Sequence, residues 1–227
     1  MVTEATLKFL ADLKKHNRRD WFQANRKRYE AARAEAVLLC DAVIAGLARF
    51  EPHMLEQDPE DCFFRINRDT RFSKDKSPFK TSISGVIPLY RGGMMERVGL
   101  YFELGPSPFV ACGRWMMEPP VLKRYRKAVA DERTGPPFAK AVAKAVAAGF
   151  EVGAQEQLAR VPKGFAKDHP RAELLRHKGF ALSFPTPTLP LIESGRLVRW
   201  SLDHVKAIAP LMKWVERAAR GQKPSFS

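Results

Sequence analysis

Six cations, Arg65, Arg68, Arg71, Lys74, Lys76 and Lys80, fall within the sixteen residues RINRDTRFSKDKSPFK, against two carboxylates, Asp69 and Asp75. Guanidinium groups fork onto phosphates and carboxylates in a bidentate fashion, and lysines add point charge. Asn67, Ser73 and Thr81 add neutral donors. Asp69 and Asp75 can neutralise neighbouring cations, orient them, or serve as acid and base. The candidate ligand set is therefore Arg65, Asn67, Arg68, Asp69, Arg71, Ser73, Lys74, Asp75, Lys76 and Lys80, with Asp69 and Asp75 as the catalytic candidates. These residues name no reaction and no cofactor. The competing account is an ion-pair network that ties a strand to a loop and needs no ligand. Against it, cations outnumber carboxylates by four, which leaves positive charge for an anion.

Phe64, Ile66, Phe72 and Phe79 lie in and beside the same stretch, so it is not a purely solvated charge run. Read as a strand, residues 62–71 alternate. Cys62, Phe64 and Ile66 fall on a face that can join the core. Phe63, Arg65, Asn67, Asp69 and Arg71 fall on the other, a row of hydrogen-bonding groups on a rigid element. The turn-like SKDKSP then lets residues 73–80 fold back over that row. The aromatics anchor the segment so that it holds its charges in place.

The elements around it follow from pattern. Thr3 or Thr6 can cap a first short helix, and Asn17 a second, long one from about Arg18 to Phe50. A loop from Pro52 to Asp61 follows. CFFRIN, ISGVIPLY, VGLYFELG and PFVACGRWM are short, aromatic and β-branched, which predicts strands on short antiparallel connections. Prolines open two helices, VLKRYRKAVADE and FAKAVAKAVAAG. Asp168 can cap HPRAELLRHK, FALSF reads as a further strand, and Pro210 fits the first turn of a last helix, LMKWVERAAR. The expected fold is α+β, a central antiparallel sheet flanked by N- and C-terminal helices. Residues 1–221 read as a single domain and 222–227 as a frayed tail.

At the cationic stretch the chain resembles domain-of-unknown-function family 2461, conserved bacterial and fungal proteins with the signature R-D-x-R-F-S-x-D-K-x-P-[YF]-K. DWFQANRKRYE, GLYFELGPSPFVACGRWM and LARVPKGFAKDHPRAELLRHKGF resemble family segments in the same order. Asn67 stands where tyrosine is common and Phe79 where it is usual, so neither position carries a phenolic hydroxyl. The resemblance implies no reaction. It implies that the segment is a feature shared across the family.

Composition bounds the partners. The net charge is +14 over 227 residues, and every fifty-residue block except 51–100 carries a positive excess. A basic balance favours polyanions, so a nucleic-acid-associated protein using a diffuse basic surface is the alternative to an anionic small-molecule ligand. A structural or interaction role with no ligand is the third reading. Trp21 and Phe22 beside Arg18 and Arg19 can stack on a base, while Trp115, Trp200 and Trp214 read as core. Lys163, Lys167 and His169 in RVPKGFAKDHP can attract an anion, although a loop with a helix cap is the simpler account. The five histidines lack metal-ligand spacing. Cys40, Cys62 and Cys112 read as buried free thiols of a cytoplasmic protein. No stretch has the apolar length of a membrane span.

Overall fold

The computed structural model describes residues 2–154 and 156–226; of the expected tail, Ser227 lies outside the described residues. Three helices come first, α1 (Glu4–Lys15), α2 (Arg19–Ala24) and α3 (Arg26–Leu47). Thr3 caps α1, its Oγ1 accepting from the Thr6 N–H at 3.4 Å. Glu35 on α3 accepts the hydroxyls of Thr3 and Thr6 at 2.8 and 2.7 Å, tying the start of α1 to α3. The long helix expected from Arg18 is two. The break falls at Asn25, whose side chain donates to the Trp21 carbonyl at 2.9 Å. Two 3-10 turns, Pro52–Glu56 and Pro59–Cys62, fill the expected loop.

The strands are β1 (Ile83–Pro88), β2 (Gly99–Leu104), β3 (Phe109–Arg114), β4 (Glu151–Gly153) and β5 (Phe180–Ser183), in the order β1-β2-β3-β5-β4. Leu182 of β5 pairs antiparallel with Cys112 on one side and with Val152 on the other. Between and after the strands run α4 (Pro119–Ala130), α5 (Gly135–Ala147), α6 (Ala172–Arg176), α7 (Leu189–Glu193) and α8 (Leu197–Ala219). The fold is α+β, as expected. No described helix is long and apolar enough to cross a membrane.

Two expectations about the helices change. The last helix does not begin at Pro210, because α8 starts at Leu197 and runs through it. Pro210 is exposed, so the hydrogen bond that it cannot make faces water. Asp168 does not cap α6. The N-cap position is Arg171, and its N–H donates to Nδ1 of His169 at 3.0 Å.

The chain divides into two compact units. The first comprises Met1–Ile87, Tyr101–Val110 and Thr186–Asp203. Its core gathers Phe9, Leu10 and Leu13 of α1, Phe22 of α2, Ala32 and Ala36 of α3, and Phe79, Ile83, Leu104, Ile192 and Leu197. Gly85 on β1 is required here: a Cβ would stand 2.0 Å from the Cys62 carbonyl oxygen. Its absence lets the start of the cationic segment lie on β1.

The second unit comprises Pro88–Leu100, Ala111–Pro185 and His204–Ser227. Its centre is aromatic. Phe138 of α5 stacks on Trp214 of α8 at 3.9 Å, and Tyr125 meets both rings edge-on. Trp214 is core as expected, but Trp115 is 44% exposed and is not. Cys40, Cys62 and Cys112 are all buried and outside any disulfide.

Candidate functional site

The expected strand over 62–71 is not a regular strand. Phe63 pairs with Gly85 and the Phe64 N–H donates to the Ser84 carbonyl at 2.9 Å, but there the contact with β1 ends. The backbone then pairs with its own later residues. The Lys80 N–H donates to Ile66 O at 2.8 Å, the Arg68 N–H to Pro78 O at 2.9 Å, and Asn67 bridges Phe79. The segment is thus a hairpin with a two-part stem, 66–68 and 78–80, and a cationic loop, 69–77. Exposure alternates along the first arm: Arg65, Asn67, Asp69 and Arg71 are exposed, while Phe64, Ile66, Arg68 and Thr70 are half-buried.

Asn17 anchors the second arm from far along the chain. Its Nδ2 donates to the Phe79 carbonyl at 2.8 Å and its Oδ1 accepts from the Phe79 N–H at 3.1 Å. The amide thus completes both hydrogen bonds of one residue in the manner of a neighbouring strand. The Phe79 ring stacks on Phe22 of α2 with centroids 4.0 Å apart, and Ile66 packs beside this core. Asn17 therefore joins the α1–α2 turn to the hairpin instead of capping a helix, and Arg18 is the uncapped N-cap of α2.

Between the hairpin, α2 and the start of α3 lies a groove of about 1040 Å³, wholly within the first unit. The hairpin side contributes Ile66, Asn67, Arg68, Thr70, Lys76, Ser77, Pro78 and Phe79. The helical side contributes Asn17, Arg18, Arg19, Phe22, Gln23, Arg26 and Tyr29. Five of these residues are cations and none is a carboxylate. Arg18 and Arg19 are exposed, and their side chains have no partner among the described residues. Arg26 is paired with Glu30 at 3.0 Å in an exposed i,i+4 contact, and Lys76 donates to Thr70 O at 2.9 Å. Burial pushes the Tyr29 phenol above its usual range, so it lines the groove as a neutral donor.

The candidate residues divide among three places. Asn67, Arg68 and Lys76 line the groove. Arg68 also pairs with Asp75 and donates to Ser73 Oγ at 3.4 Å. The Ser77 hydroxyl and backbone N–H, then Arg68, hold the Asp75 carboxyl well below the usual carboxylate range. Asp69 and Arg71 pair with each other at 2.6 Å in water, Arg71 being 76% exposed, and this pairing lowers the Asp69 pKa. Lys74 is exposed, with no partner among the described residues. Arg65 and Lys80 form the third place. The Lys80 ammonium sits over the Phe64 ring at 5.0 Å. Burial and then Arg65 depress its pKa, opposed by Glu103. Sequence reading noted Arg18 and Arg19 as base-stacking neighbours and missed Arg26, Tyr29 and the role of Asn17. Only the Arg18–Arg19 pair carried a local signal.

A family model described as a conserved hypothetical protein, DUF2461, matches residues 5–214, and the chain belongs to that family. No curated protein and no solved structure matches it.

Proposed function

We propose that this DUF2461 protein binds a phosphorylated or otherwise anionic ligand in the groove beside segment 65–80. One observation carries the reading: Arg18, Arg19, Arg26, Arg68 and Lys76 converge on one concavity whose lining has no carboxylate. Arg26 and Arg68 pair with Glu30 and Asp75 outside the lining, but Arg18, Arg19 and Lys76 meet no carboxylate, and a bound anion relieves their mutual repulsion. Size is consistent with a small molecule, since ligand pockets of about 300–1,000 Å³ are typical. Phe22, Ile66 and Phe79 give the groove an apolar floor, which suits an anion that carries an apolar or aromatic body. Asp69 and Asp75 serve this site by holding the loop. Their low pKa values leave them ionised at neutral pH, which favours orientation over proton donation.

Calorimetric titration with pyrophosphate and with a nucleoside diphosphate tests the reading. The native protein should bind at least one of them, and Arg18→Gln with Arg19→Gln should weaken binding at least tenfold with an unchanged melting temperature. Binding that is equal in the double variant sinks the groove as the site. Duplex DNA binding that neither anion competes away, and that falls steeply with salt, moves the function to the basic surface.

A further inference from the structure

A trough of about 540 Å³ lies within the second unit, between α4 and the loop RVPKGF at 160–165. Its walls are apolar: α4 contributes Pro119, Leu122 and Ala130, and the loop contributes Pro162 and Phe165. Leu122 is buried and Phe165 half-buried. Gly164, with φ 94°, takes the left-handed backbone that turns the loop, so that residues on both sides of it line the trough. Beside these walls stand Lys123 and Lys127, one turn apart on α4, Arg126, and Lys163 of the loop, and no carboxylate is among the lining residues. The three lysines are exposed and have no ion pair or hydrogen bond among the described residues. Arg126 is fixed, its Nε donating to the Leu175 carbonyl at 2.8 Å and its Nη2 to the His177 carbonyl at 3.3 Å. The carboxylates nearest in sequence, Glu118 and Asp131, flank α4 without lining the trough, and Asp131 accepts the Arg133 and Thr134 N–H groups at 2.8 and 3.2 Å.

Apolar walls gain by being covered, and unpaired cations beside them select what covers them. A peptide is a poor occupant. Its main chain needs donors and acceptors, but Pro119 and Pro162 have no N–H, and the backbone of Leu122 to Ala130 is spent within α4. A main chain laid there would bury unpartnered polar groups. A hydrocarbon body makes no such demand. The α4 wall from Pro119 to Ala130 is about 16 Å long at a rise of about 1.5 Å per residue, which suits an extended dodecyl chain. The volume lies within the range of about 300–1,000 Å³ usual for small-molecule pockets. From the apolar walls and the three unpaired lysines beside them, we infer that the second unit binds a free amphipathic carboxylate, a medium-chain fatty acid, with its chain along α4 and its head among Lys123, Lys127 and Lys163. The carboxylate head takes charge-assisted hydrogen bonds from the ammonium groups. This site shares no residue with the groove of the first unit.

Calorimetric titration with monomeric dodecanoate at neutral pH tests the site. The native protein should bind it with one-to-one stoichiometry, and octanoate should bind at least tenfold more weakly, because its shorter chain leaves apolar wall uncovered. Dodecyltrimethylammonium, with the same chain and the opposite charge, should not bind. Lys123→Gln/Lys127→Gln changes only exposed side chains, so it should melt with the native protein and bind dodecanoate at least tenfold more weakly. Phe165→Ser removes the loop's apolar wall and should weaken binding to a similar degree. No binding of monomeric dodecanoate, an equal affinity in the lysine variant, or an affinity independent of chain length overturns the site. Binding to vesicles of anionic phospholipid without binding of the monomer overturns it too, and makes the lysines a membrane contact. Arg18→Gln/Arg19→Gln protein should bind dodecanoate as the native protein does, and Lys123→Gln/Lys127→Gln should keep its pyrophosphate affinity, so the two readings fail separately.

Discussion

The two cationic regions handle charge in opposite ways. In the hairpin loop the cations stand in water. Arg71 is 76% exposed and pairs with a neighbour two residues away, and Arg18 and Arg19 across the groove have no partner among the described residues. Around Glu216 the carboxylate is the buried partner: at 3% exposure it serves Arg97 and Arg220, whose side chains reach water. Exposed charges keep their hydration, so leaving them unpaired costs little and they stay available to a ligand. Buried charges have lost that hydration and must be matched. Charge density along the sequence is therefore a guide to recruitment in the first region, and burial is the guide in the second.

The sharpest break of this comparison is Glu216→Gln. It leaves Arg97 and Arg220 with no buried counter-charge. Loss of one partner from a buried network costs roughly 3–5 kcal/mol. Chemical denaturation should show a loss of that size, and a loss below about 1 kcal/mol would place the cluster with the exposed pairs.

Next in size is Asn17→Ala. It leaves the Phe79 N–H and carbonyl without partners under a stacked aromatic pair. Each stranded buried group costs about 1–3 kcal/mol, and the hairpin is released from the α1–α2 turn. Stability should fall by about that amount and pyrophosphate binding should weaken with it. Asn17→Asp restores the acceptor but not the donor, and should recover only part of each.

These two residues also mark what the sequence made legible. Four of the five strands, and the proline-opened α4 and α5 with their apolar faces, follow from periods that repeat over a few residues. Asn17 acts on Phe79, 62 positions away, and no local pattern announces such a contact. A polar residue before a helical run reads as a cap, and here it is not one. Arg114, buried at the end of β3, is different, because its signal was present: strand alternation places it two residues from the fully buried Cys112, on the same face. Pro210 misled in the opposite direction. A proline is a sound stop signal, but the apolar stripe of α8, with Val205, Ile208, Met212 and Val215 buried, outweighs one missing bond on the wet side. The cationic segment was legible as a concentration of charge. Its division into groove, loop pair and Lys80 cluster was not, because that depends on where the hairpin turns away from β1.

Acid sharpens the comparison in the first region. The Asp75 pKa is depressed in the folded chain, so its contribution to stability is complete above the ordinary carboxylate range and is lost as pH falls through the folded value. The native hairpin should therefore hold from neutral pH down to about pH 4 and loosen below it. Asp75→Asn should show the loosened loop already at pH 7, read as faster amide exchange in residues 69–77, with little further change on acidification. An equal acid response in both proteins would remove Asp75 from that role.

The smallest effect belongs to Arg71→Ala, and it decides what the Asp69–Arg71 pair is for. Were Arg71 one half of a buried pair, its loss would strand a carboxylate and the fold would weaken sharply. Both partners instead lie in water, bonded across two residues of one loop. Exposed pairs of this kind gain little Coulomb energy and fix two side chains to obtain it. Arg71→Ala should melt with the native protein, and adding Asp69→Ala should change nothing more, so the double-mutant coupling should be near zero. Because Arg71 does not line the groove, pyrophosphate affinity should also stay within about twofold, against the tenfold loss expected for Arg18 and Arg19. A large loss of affinity in Arg71→Ala at unchanged stability would mean that the loop swings its guanidinium onto the ligand, and the binding site would then extend over the exposed row of the hairpin.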